Sequence, residues 1–123
     1  MVERLDAAVR ELAGTDTLAF GGVGFAGTVL PETEAYREVE RQFDAHPEQA
    51  RRKVDWLLAQ GSPAGRAYAA TLLARVDPAA ARAAWEALRC SEAEFTTFAG
   101  CIMGRTTLGE YADAQLTGPE GGS

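Results

Sequence analysis

Three features of the sequence predict a mainly α-helical chain of stacked α-hairpins. Four of the five prolines, Pro31, Pro47, Pro63 and Pro78, stand at intervals of 16, 16 and 15 residues, and each heads a helix-compatible segment. Ser62-Pro63 and Asp77-Pro78 are N-cap residues followed by proline at the first helical position, where its missing N–H costs nothing and its fixed φ suits the helix. Apolar residues recur three and four positions apart, the period of a helix with one buried face. A chain of 123 residues, 46% hydrophobic and 24% charged, suits one compact domain, expected over 1–116, that buries roughly two thirds of its unfolded surface.

In order, Val2, Leu5, Val9 and Leu12 lie at helical spacing before Gly14, which predicts a helix over Val2 to Ala13. Its polar side mixes Glu3, Arg4, Asp6, Arg10 and Glu11, so it reads as a packing helix at one end of a stack rather than a membrane-surface helix. Thr15 to Leu30 is glycine-rich. Gly22, Gly24, Gly27 and Val29 match the glycine loop of kinases and, in part, the dinucleotide fingerprint, but no helix can open cleanly at Gly27 with Pro31 so near. A kinase's H-R-D and D-F-G are also missing. The segment reads as a loop anchored by Leu18, Phe20, Val23 and Phe25, with a role in binding as its functional reading.

Four helices follow, Pro31 to Asp44, Pro47 to Gln60, Pro63 to Val76 and Pro78 to Leu88, with inward stripes such as Tyr36, Val39 and Phe43, or Ala50, Val54 and Leu57. Gly61 is expected to stop the second of them. Phe95 to Phe98 and Cys101 to Met103, with a turn at Ala99-Gly100, predict a small β-hairpin. Thr107-Leu108-Gly109-Glu110 is a capping box opening a last short helix through Leu116, and 117–123 is expected to be a disordered tail.

The two hairpins also resemble each other: an offset of 31 pairs Ala50 with Ala81, Arg51 with Arg82 and Leu57 with Leu88. Ala64-Gly65-Arg66-Ala67-Tyr68-Ala69-Ala70, then Asp77-Pro78 and Trp85-Glu86-Ala87-Leu88, resembles a short HEAT-like repeat. The resemblance is best over 63–88 and implies an α-α superhelix that binds proteins by shape. The units are shorter than the usual 40 to 47 residues, and there are two where about three are normally needed.

Net charge of −6 and a pI near 4.8 argue against nucleic acid or an anionic membrane as partner. No apolar run reaches the roughly 18 residues that span a bilayer, and the charged start is unlike a signal peptide, so a cytoplasmic location is expected. Cys90 and Cys101 have no metal or redox spacing, and no cofactor or metal is expected. A nucleophilic thiol would have to pair with His46, the only histidine, without an identifiable orienting group. Arg51, Arg52 and Lys53 with Arg82 and Arg89 could form a basic face on the second helices.

The expected function is a non-catalytic protein-interaction or regulatory module, using the helix surface or a loop carrying Phe20, Val23, Phe25 and, beside it, Arg66. The alternative is a small acidic immunity or inhibitor protein that neutralises a basic enzyme, and the third reading is an enzyme using Cys101 or Cys90 with His46. An exposed end of the stack would also allow a homodimer.

Overall fold

Helices begin where the caps and prolines put them. The computed structural model describes residues 2–18, 31–99 and 102–117. Their order is α1 (Val2–Gly14), β1 (Thr17–Leu18), α2 (Pro31–Ala45), α3 (Pro47–Gln60), α4 (Pro63–Val76), α5 (Pro78–Leu88), β2 (Glu94–Ala99), β3 (Ile102–Thr107) and α6 (Leu108–Thr117). The fold is mainly α with a small β element. The expected tail after Thr117 lies outside the described residues, as does most of the glycine-rich loop.

The caps work as their residue types require. Ser62 Oγ accepts from Gly65 N at 3.1 Å and Asp77 Oδ1 from Ala80 N at 3.1 Å, each satisfying an orphan donor of the first helical turn. Thr107 Oγ1 accepts from Glu110 N at 3.0 Å while Glu110 Oε1 accepts from Thr107 N at 3.4 Å, closing the capping box that opens α6. Gly61 ends α3 for a different reason from the one its type suggests. Its φ of −77° is not left-handed, but a Cβ there would stand 2.7 Å from Leu57 O, so the tight approach is what requires glycine.

At the centre of the fold is α4. Ala64, Gly65, Ala67, Tyr68, Ala69, Ala70, Leu72 and Leu73 are all buried, so the helix is covered nearly all round. Helices α1, α3, α5 and α6 and strands β1 and β2 pack on it. From α2 the Tyr36 ring meets Tyr68 at 5.5 Å and Glu40 pairs with Arg75 at 2.6 Å. The alanines are what let so many neighbours come close. Helix α1 is also more than an end piece: Leu5, Ala8, Val9 and Leu12 are buried, and it lies against α2, α3 and α4.

The closest approach is between α4 and the end of α1. Ser62 N donates to Ala13 O at 2.9 Å and Ser62 Oγ to Thr15 O at 2.6 Å, while a Cβ on Gly65 would stand only 2.4 Å from Leu12 O. The positive end of one helix thus faces the negative end of another, a favourable dipole arrangement that also satisfies free carbonyls.

The β element is larger than the two-stranded hairpin the sequence suggests. Strands β2 and β3 pair antiparallel from Glu94↔Thr107 to Ala99↔Ile102, extended beyond expectation through Arg105, Thr106 and Thr107, which face Thr96, Phe95 and Glu94. Thr17 and Leu18, read as loop, form a third strand parallel to β2, giving the order β1-β2-β3. The parallel partner arrives because α1 ends beside the sheet, so that Asp16 O can accept from Thr96 N at 2.8 Å. Buried Leu18 and Phe95 anchor this sheet to the core, and Phe95 meets Tyr111 edge-on at 5.6 Å. Over the open face Arg105 pairs with Asp16 at 3.0 Å and donates to Thr96 Oγ1 at 2.9 Å.

Two tests follow from this packing. Gly65→Ala, which drives a methyl into the α1 carbonyl, should cost about 1–3 kcal/mol in urea unfolding. Gly14→Ala, with nothing within 4 Å of its Cβ, should be neutral or stabilising by up to about 1 kcal/mol.

A further test uses pH. Hydrogen bonding from Gln42, at 2.6 Å, and from Arg41 lowers the Glu38 carboxyl below its ordinary value. Because the folded form holds this proton less tightly than the unfolded chain, its contribution is present above about pH 4.3 and is lost as pH falls through the lowered value. Glu38→Gln should therefore lose less stability than the parent when unfolding is compared at neutral pH and in acid. Burial pushes Tyr111 up to about 12, so stability also falls as pH rises above about 10, where the unfolded phenol ionises first.

Candidate functional site

The helical phase of α3 sets what it buries and what it shows. Ala50, Val54 and Leu57 are fully buried. Trp56 falls about 200° round from Val54 at 3.6 residues per turn, and the residue is 48% exposed. Gln49, Arg52, Lys53 and Trp56, at i, i+3, i+4 and i+7, make one ridge along α3. Across from it α1 contributes Asp6, Val9 and Arg10, and together they line a cleft of ≈ 430 Å³.

Charge in this cleft is unevenly spent. Lys53 Nζ lies 2.6 Å from Asp6 Oδ1, a buried oxygen that this ammonium compensates, and the pair ties α3 to α1. Arg10 and Arg52 are both exposed, and neither enters an ion pair with the described residues. On its other side Arg52 borders a shallow notch of ≈ 410 Å³ lined by Phe43, Pro47, Glu48, Arg51 and Val76, and Val76 is 48% exposed. Arg52 thus stands between two apolar exposures.

The basic face expected from Arg51, Arg52, Lys53, Arg82 and Arg89 does not survive as a set of free cations. Arg51 pairs with Asp55 and Asp77, Arg82 with Glu86 and Arg89 with Asp113. Of that group only Arg52 faces solvent without an acidic partner among the described residues, and Arg10 joins it from another helix. Arg66 is half-buried, and its Nε donates to Gly61 O at 3.0 Å, so it braces the α3–α4 corner. Phe20, Val23 and Phe25 lie outside the described residues.

His46 and Cys90 border different hollows, the first beside Pro47 and Arg52 at the start of α3, the second beside Thr107 and Asp113 after α5. Cys90 is an exposed free thiol, and Cys101 lies outside the described residues. Among the described residues no group of three or more His, Cys, Asp or Glu is placed to hold a metal ion. No described helix is long and apolar enough to cross a membrane.

The ridge had a sequence signal that residue-type reasoning passed over: a tryptophan out of phase with the buried stripe of its own helix. Arg10 gave no such signal, since its neighbours on α3 are set by tertiary packing.

Compared with known proteins, the chain matches no family model, no curated protein and no solved structure.

The placement of the two tryptophans can be checked directly. Trp85 is buried against Tyr111 at 5.6 Å, so Trp85→Ala should cost about 3–5 kcal/mol. Trp56→Ala should change unfolding free energy by no more than about 0.5 kcal/mol while removing most acrylamide quenching of the native fluorescence.

Proposed function

We propose that the chain is a non-catalytic protein-interaction module that binds its partner on the α3 ridge and the adjoining α1. The observation that carries this reading is the half-exposed Trp56 on a rigid helix beside two unpaired arginines. Trp and Arg are the side chains that most often dominate binding energy, because each brings a large contact area and few lost rotamers per contact. Exposing an indole costs solvation free energy that a partner would recover by covering it.

Supporting this reading, α3 is fixed on its other faces by α1, α2 and α4, so the ridge is preorganised. The two proline-headed hairpins support its description as a short HEAT-like arrangement, in which helix surfaces rather than chemistry do the binding. The proposed compartment is the cytoplasm, where an exposed free thiol such as Cys90 stays reduced.

The test compares crosslinked capture from cells by the parent chain, Trp56→Ala and the distal surface variant Arg82→Ala, all with folding checked by circular dichroism. A partner held by the parent and by Arg82→Ala, but reduced about tenfold or more by Trp56→Ala, is the expected result. A partner indifferent to Trp56 would move the interface elsewhere.

A further inference from the structure

The cleft between α1 and α3 has a local charge opposite to that of the molecule. The chain carries −6 overall, yet the cleft sets Arg10, Arg52 and Lys53 against the single carboxylate of Asp6. Lys53 and Asp6 neutralise each other at 2.6 Å, which leaves two guanidinium groups facing solvent. At physiological ionic strength charges more than about 8 Å away are largely screened, so a ligand in the cleft feels these two groups more than the distant acidic helices.

We propose that the α3 ridge docks an acidic segment of a partner protein, with its carboxylates on Arg10 and Arg52 and an apolar side chain against the Trp56 indole. The inference rests on the interaction-module reading and adds the chemistry of the partner. A guanidinium fork takes a carboxylate through two parallel hydrogen bonds, a geometry that a lysine ammonium cannot offer. Neither fork is in an ion pair with a described residue. Glu48 borders the notch on the far side of Arg52 without pairing to it, so the ligand's carboxylates are steered toward the Arg10 side. The notch itself, with Phe43, Pro47 and Val76, takes a second apolar side chain. The segment recognised is therefore apolar residues flanking acidic ones. A nucleic acid offers the same sign of charge and stacking bases, but its many phosphates would meet the acidic remainder of the chain.

The test uses fluorescence anisotropy of a labelled peptide of alternating glutamate and leucine, titrated with the full chain. Its counterparts are the same peptide with lysine for glutamate and a labelled oligothymidylate. The acidic peptide is expected to bind, to weaken several-fold between about 50 mM and about 300 mM salt, and to weaken about tenfold in Arg10→Ala/Arg52→Ala and in Trp56→Ala. Arg82→Ala, away from the ridge, should bind as the parent does. Equal binding of the lysine peptide, no binding of the acidic peptide, or indifference to the double arginine variant would each overturn the proposal. Tighter binding of the oligothymidylate would overturn it in favour of a nucleic-acid ligand. If the acidic peptide fails while cellular capture still depends on Trp56, the acidic chemistry falls and the interaction surface stands.

Discussion

Where the first turn of α4 meets the last turn of α1, the backbones come closer than any side chain beyond hydrogen permits. Gly65 makes that approach possible, and Ser62 makes it directional by capping its own helix while binding carbonyls at the end of the other. The rest of the fold follows from this contact. It fixes α1 across the hairpins, so that Leu5, Val9 and Leu12 are covered. It also delivers Asp16 and Thr17 beside β2, which turns a marginal two-stranded hairpin into a three-stranded sheet.

The same placement of α1 produces the cleft. Helix α3 would show Trp56 and Arg52 wherever it stood, because its buried stripe fixes the opposite side. Only the nearness of α1 adds a second wall, a second guanidinium and the Lys53–Asp6 pair between them. The site is thus built by two helices from opposite ends of the first half of the chain, joined through a contact that neither makes alone.

Electrostatics sort the remaining arginines. Most cations on the hairpins have carboxylates one turn away or across a corner, as Arg51 has Asp55 and Asp77, and such exposed pairs contribute little stability. Their effect is mainly to remove those charges from any binding surface. Arg10 and Arg52, like Arg4 and Arg37, have no described carboxylate within ion-pair distance, and they differ in lining one cleft with Trp56.

Local signals were enough for the helices. A capping side chain followed by proline at 63 and 78, the capping box at Thr107 and the apolar period each act within a few residues, so the sequence by itself determined where the helices of 31–117 start and that the fold is mainly α. Trp56 out of phase with Val54 was legible in the same way, as half of the candidate site. What only the tertiary structure decided were the contacts between distant segments: the parallel strand at Thr17, the glycine at 65 demanded by the Leu12 carbonyl of α1, and Arg10 brought opposite Arg52. These depend on how close two backbones can come, and that distance is set by packing across the core, which no local pattern encodes.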